Sequence, residues 1–155
     1  MKYTIDTEFI EEPGYLDLIS IGIVCEDERE YYAELQGVDW SRANGWVLEN
    51  VKPLLTGDTK PKSVIREELL LFIQREPEFW GYFADYDWVA FCWLFGKMVD
   101  LPDRFPKFCM DIKQYMIHLG FRKSDIPVTL PTREHNALDD ARWNMRVLNW
   151  LAARP

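Results

Sequence analysis

The chain has 155 residues, a size that suits one domain around one core. Apolar residues make up 48% of it, and the net charge of −8 weighs against binding long duplex nucleic acid, which needs a broad basic surface, though not against a site that grips one strand end through metal ions. No apolar run is long enough to span a membrane, no signal peptide is expected ahead of the first strand, and Cys25, Cys92 and Cys109 lie in apolar runs without C-x-x-C spacing, as buried reduced thiols of a cytoplasmic protein do.

The first predicted strand covers the opening eight residues and ends in two carboxylates, Asp6 and Glu8. Strand alternation turns Thr4, Asp6 and Glu8 to one face, and Tyr3, Ile5 and Thr7 to the other. Two adjacent anions repel, and a divalent cation is the simplest way to keep both ionised. The pair is therefore a candidate half of a metal site, although taken alone it also fits a strand that ends at an exposed polar edge.

Glu11 to Gly14 reads as a turn. Leu16 to Glu26, apolar on both faces, is a central strand, and Arg29 to Leu35 is a third strand completing an antiparallel meander. Val38 to Leu55 holds a short helix and a Pro-containing loop. Ser63 caps a helix that ends near Glu76-Pro77, and Glu78 to Ala84 is a fourth strand. Tyr86 to Phe95 is a helix stopped by Gly96, Lys107 to Met110 a fifth strand, and Asp111 to Leu119 a helix closed by Gly120. Arg122 to Arg133 is irregular, and the last helix runs from about Asn136 to Ala152. Three antiparallel strands followed by alternating helices and strands predict a mixed α/β sheet, with the first strand near its centre.

Two later places offer acids at element ends. At the junction before the helix at 86–95, Asp85 suits an N-cap. Asp87 falls on the apolar line of Ala90, Phe91 and Leu94, where an inward acid needs a chemical reason. In the last helix, Asp139 shares a face with Arg142, Trp143 and Arg146, a solvated face with an i,i+3 ion pair. Asp140 lines up with Ala137, Asn144, Val147 and Leu151, beside the apolar stripe, and is the candidate ligand. His135 can converge with Asp140 only if it lies in the loop before the helix, whereas His118 sits in a helix with no comparable acid nearby.

Asp6-x-Glu8, Tyr86-Asp87 after the fourth strand, and His135-x-Ala137-x-x-Asp140-Ala141 come in the order of three known motifs. In these the chain resembles, over nearly its whole length, the DEDDh family of 3′→5′ exonucleases in the ribonuclease H-like superfamily. The third motif is the most specific. Asp6-Thr-Glu-Phe-Ile-Glu11 and Leu18-Ile-Ser-Ile-Gly22 are more narrowly similar to the ribonuclease AS group, which trims RNA with a preference for adenylate tails. Phe83 departs from the pattern, since many relatives carry Asn there, so that the usual polar support near Asp87 is either missing or supplied by Asp85.

The resemblance implies a ribonuclease H-like mixed five-stranded sheet flanked by helices, forming a single exonuclease domain over 1–155. It implies two divalent ions held by Asp6, Glu8, Asp87 and Asp140, an all-oxygen set that suits Mg²⁺ with Mn²⁺ as substitute. Glu8 and His135 are the expected catalytic residues, with His135 as general base. Phe9, and less directly Trp88, are candidates for stacking on the substrate, a contact worth about 1–3 kcal/mol per base. The expected partner is the 3′ end of single-stranded RNA and the product a nucleoside 5′-monophosphate. Relatives form homodimers, which the abundance of aromatics (Trp40, Trp46, Trp143, Trp150 among them) would fit. The alternatives are a DNA exonuclease of the same superfamily, a non-catalytic nucleic-acid-binding module, and a metal-dependent phosphatase for small substrates.

Overall fold

A computed structural model describes residues 1–74 and 76–154. Strand β1 (Lys2–Glu12) and β2 (Tyr15–Cys25) form a long antiparallel hairpin closed by Gly14 at φ +79°. Strand β3 (Glu30–Leu35) pairs antiparallel with β2. Helix α1 (Gly45–Asn50) follows, started by Asn44, whose side chain accepts the Val47 N–H. Then come β4 (Thr59–Lys60), α2 (Lys62–Phe72), β5 (Glu78–Gly81), α3 (Asp85–Phe95), β6 (Met110–Asp111), α4 (Ile112–His118) and α5 (Ala137–Ala152).

The sheet order is β4-β3-β2-β1-β5-β6, with β5 parallel to β1, β6 parallel to β5 and β4 parallel to β3. This is the ribonuclease H-like arrangement expected, with β1 inside the sheet. The sheet has six strands rather than five. The added strand, Thr59–Lys60, is too short to show a period of two in sequence. It is held by the buried Glu34 carboxylate, which accepts the N–H groups of Thr56 (2.6 Å) and Gly57 (2.9 Å).

Strand β1 also runs four residues beyond Glu8. A bulge between Glu8 and Phe9 shifts the register from Glu8↔Ser20 to Phe9↔Leu18. Bulges bend a strand and increase its local twist. Beyond this one, Ile10 and Ile19 pack with Val47 and Val51, which seats α1 against the far end of the hairpin.

The expected alternation holds. Tyr3, Ile5, Ile21 and Ile23 face α2 and α3, packed with Ile65, Leu69, Phe91 and Leu94. Thr4 faces α5 and donates its hydroxyl to the Ala141 carbonyl (2.8 Å). Gly22 lies so close beneath α5 that a Cβ there would collide with the Ala137 carbonyl. This approach brings the start of α5 down onto the acidic part of β1.

Several boundaries differ from expectation. Ser63 lies inside α2, whose N-cap is Pro61, and α2 ends at Phe72; Arg75, within the predicted span, is outside the described residues. Asp85 is the exposed first residue of α3, not its cap. That start is secured from another element, because Asp111 accepts the Ala84 N–H at 2.8 Å. Trp143, expected on a solvated face, is buried in a cluster with Ile112, Met116, Ile126 and Val147 that covers this part of α5. Of the four tryptophans offered for an interface, Trp46 alone is exposed (51%).

Candidate active site

Asp6 and Glu8 project from the α5 face of β1 into a cleft of about 430 Å³, which Asp87 and Asp140 also line. Asp87 arrives from the other face of the sheet. Pairing of β5 with β1 stops at Thr4↔Trp80, so the next stretch of β1 is left without a neighbour on that side. Asp87, in the first turn of α3, fills the gap: one of its oxygens accepts both the Thr7 N–H (2.8 Å) and the Thr7 hydroxyl (2.6 Å). Asp140 arrives with the first turn of α5, and one of its oxygens accepts the His135 N–H at 2.8 Å. Each of these two carboxylates thus has one oxygen tied down, while the other has no hydrogen-bond partner among the described residues.

His135 lies before the helix, as convergence with Asp140 requires. Asn136 caps α5 by accepting the Asp139 N–H (3.2 Å), and His135 takes a left-handed backbone conformation, φ +70°. Asn, Asp and His adopt this conformation more readily than other non-glycine residues. A ring nitrogen of His135 and one oxygen each of Glu8 and Asp140 all lie within 4.8 Å of one another. The imidazole packs edge-on against Trp46, with ring centres 4.7 Å apart and planes at 79°.

The four acids burden one another. Burial raises Asp6 well above the usual carboxylate range, and repulsion from Asp87, Glu8 and Asp140 adds to it. Burial, then Asp140 and Asp87, push Glu8 up to about 8. Burial raises Asp87 to about 7 against the opposing hydrogen bonds from Thr7, and Asp140 to about 6 against the His135 N–H. Among the described residues, no Lys or Arg forms an ion pair with any of the four. Crowded like charges without a counter-ion are what a divalent cation would relieve, and the carboxylate oxygens here, with the His135 imidazole beside them, are groups that could hold one.

The pairs separated on helical phase behave as that phase requires. Asp139 pairs with Arg142 (2.6 Å, i,i+3) and with Arg133 (2.7 Å), while Asp140 turns into the cleft. Asp85 stays at the surface and gives Asp87 no hydrogen bond; the polar support comes from Thr7. Phe83, at φ +61°, lines the cleft and is 62% exposed. His118 is exposed in the last turn of α4, away from the cleft.

The two proposed stacking residues part company. Phe9 lines the cleft and stacks on Tyr86, with ring centres 5.6 Å apart. Trp88 does not line it. One residue past Asp87, a further 100° around α3, its ring turns into the core and stacks on Phe91 at 5.2 Å. Tyr86, the aromatic of the second motif, lines the cleft, as do Thr7, Trp46 and Asn144, for which the sequence suggests no role in the site. Thr7 lies inside the first motif and could have been found there. Trp46 carries no local signal, because only the packing of α1 brings it to His135.

Sequence comparisons give the family. Residues 1–151 match the family model described as the 3′-5′ exoribonuclease Rv2179c-like domain. The chain is 37% identical over 154 residues to the 3′-5′ exoribonuclease Rv2179c of Mycobacterium tuberculosis strain H37Rv, a match covering 94% of this chain and 90% of that protein. The 3′-5′ exoribonuclease MT2234.1 of M. tuberculosis strain CDC 1551 matches over the same span at the same identity. The clustered acids of β1, α3 and α5, with His135 among them, sit in a chain that belongs to the Rv2179c-like family of 3′-5′ exoribonucleases.

Proposed function

We propose that this protein hydrolyses single-stranded RNA from its 3′ end, releasing nucleoside 5′-monophosphates, with His135 as general base and two Mg²⁺ or Mn²⁺ ions held by Asp6, Glu8, Asp87 and Asp140. The observation that carries this reading is the convergence of four carboxylates, Glu8 and Asp87 buried and Asp6 and Asp140 half-buried, without a Lys or Arg partner among the described residues, beside an imidazole. Such ions, when bound, supply Lewis-acid activation of a water and offset the charge of the phosphate. The chain's own groups do the rest. His135, held by Asp140 at its N–H and by Trp46 at its ring, takes the proton of the attacking water. Thr7 orients Asp87 by engaging one of its oxygens. Phe9, backed by Tyr86, offers a flat apolar surface to the terminal base.

The finer assignment is to the DEDDh exonucleases and, within them, the ribonuclease AS group, with a preference for adenylate 3′ ends. Residues 1–155 then act as one exonuclease domain in a cytoplasmic homodimer. Among the described residues, no helix is long and apolar enough to cross a membrane. The same site chemistry would serve a DNA exonuclease; the match to exoribonucleases favours RNA. A mere binding module has no use for an intact acid set with its base.

Digestion of 5′-labelled oligoadenylate with Mg²⁺, comparing wild type with Asp6→Ala and His135→Ala, tests the proposal. A descending ladder in wild type, lost in both variants, is the expected result. Full activity in His135→Ala removes the general base from the scheme, and equal or faster cleavage of matched DNA defeats the ribonuclease assignment.

A further inference from the structure

Beside the catalytic cleft lies a second groove of about 410 Å³, lined by Thr129, Thr132, Asp139 and three arginines, Arg133, Arg142 and Arg146. Leu130 and Pro131 line both, so the cleft and the groove meet across one loop. Their charges are opposite. The cleft wall carries five carboxylates against Lys123, whereas the groove carries three guanidinium groups against Asp139. The other grooves described on this surface hold at least as many acids as bases, as befits a chain of net charge −8.

The three arginines are not equivalent. Arg142 is fully engaged: it donates to Asp139 (2.6 Å) and, through two nitrogens, to Glu30 (2.8 and 2.6 Å). Arg133 is fixed through its Nε to the other oxygen of Asp139 (2.7 Å), which leaves both terminal nitrogens without a partner among the described residues. Arg146 has no acid partner among them and touches the Thr129 carbonyl at 3.4 Å. Asp139 and Arg142 therefore act as a frame that holds Arg133 in place, and Arg133 and Arg146 are the groups free to take an anion. Arg146 stands six residues after Asp140 on α5, about 9 Å along the helix axis. The groove is thus within reach of nucleotides adjoining the cleavage point.

We infer that this groove binds the backbone phosphates just upstream of the scissile bond, with Arg133 and Arg146 as the phosphate ligands and the Leu130–Pro131 loop as the saddle over which the strand leaves the cleft. This role rests on the proposed exonuclease reaction. It explains how a strongly acidic protein retains a polyanion: the cleft takes the last nucleotide through cations, and the arginines hold the strand behind it. Guanidinium groups suit this task because they present paired N–H donors to phosphate oxygens.

The test is the rate of first-nucleotide release from oligoadenylates of two, four and eight nucleotides, for wild type, Arg146→Ala, Arg146→Lys and Arg133→Ala, at two salt concentrations with Mg²⁺. Wild-type kcat/KM should rise roughly tenfold with length, mostly through KM, and Arg146→Ala and Arg133→Ala should each flatten that rise. Arg146→Lys should keep part of it, and decides the matter if an alanine variant fails to fold. For each phosphate that a variant no longer grips, the plot of log kcat/KM against log salt should become shallower by about 0.7, as for counterion release from a single strand. Wild-type length dependence in the arginine variants overturns the inference, as does a wild type that treats all lengths alike while still releasing mononucleotides. A wild type that releases no nucleotide from any of them overturns the exonuclease reading, and the groove assignment falls with it.

Discussion

Thr7 donates both its backbone N–H and its hydroxyl to a single oxygen of Asp87, eighty residues away, at 2.8 and 2.6 Å. The contact exists because β5 leaves β1 early, and it ties the first turn of α3 to the strand that carries Asp6 and Glu8. Thr7→Val removes the hydroxyl and keeps the backbone bond. Residues that orient metal ligands in this way typically matter by 10–100-fold in metal affinity or activity. The expected outcome is a Mg²⁺ activation curve displaced to about tenfold higher concentration, with thermal stability little changed. An unshifted curve would deny Thr7 this role.

The Trp46 ring packs edge-on against the His135 imidazole, with ring centres 4.7 Å apart. Edge-to-face ring pairs are worth about 0.5–1.5 kcal/mol. Trp46→Ala should lower kcat by up to about tenfold with KM changed much less, and Trp46→Phe should recover most of the loss. A change confined to KM would instead make Trp46 a substrate contact.

The raised acids make stability depend on pH when divalent cations are withheld. Asp140, Asp87 and Glu8, at about 6, 7 and 8 when folded, lie above the ordinary unfolded values near 4. The folded state therefore binds more protons than the unfolded chain. Stability present below about pH 4 is lost progressively as pH rises through those three values. In EDTA, the melting temperature should be lower at pH 8.5 than at pH 5.5. Mg²⁺ should narrow the gap, since a ligand at a hundred times its Kd stabilises by about 2.7 kcal/mol. Equal melting temperatures at both pH values in EDTA would mean that the four acids are not crowded as described.

Gly22 sits under the first turn of α5, and Gly22→Ala drives a methyl into the Ala137 carbonyl. Overpacking of this kind costs about 1–3 kcal/mol. Because the displaced turn carries Asp140 and follows His135, activity should fall further than stability does. Urea unfolding and nucleotide release on the same samples separate the two effects, and a stable, fully active variant would show that α5 can move without moving the site.

Trp88→Phe distinguishes a core ring from a substrate contact. Its ring stacks on Phe91 among buried neighbours, so the change should reduce the urea midpoint and leave KM for oligoadenylate as it is. A raised KM with an unchanged midpoint would return Trp88 to the binding surface.

What the sequence by itself determined is whatever follows from a local period. A repeat of two places Asp6 and Glu8 on one face of β1, and a repeat of 3.6 separates Asp140 in the cleft from Asp139 in its ion pairs and sets Asp87 inward. The His135–Asp140 spacing required a loop residue before a helix, and α5 begins at Ala137. What only the tertiary structure decided depends on segments distant in the chain. Thr59–Lys60 becomes a strand only because β3 is there to pair with it. Asp87 finds Thr7 only because β5 stops short, and the N-cap residue of α3, Ala84, is held by Asp111 from β6, while Asp85 does not serve as the cap. Trp46 reaches His135 through the packing of α1, and Trp88 turns away from the cleft because a core lies on that side of α3. The arginine groove is likewise assembled by the fold, from the loop at 129–133 and one face of α5. Local periods set which way a side chain points along its own element, whereas the packing of elements sets what it meets there.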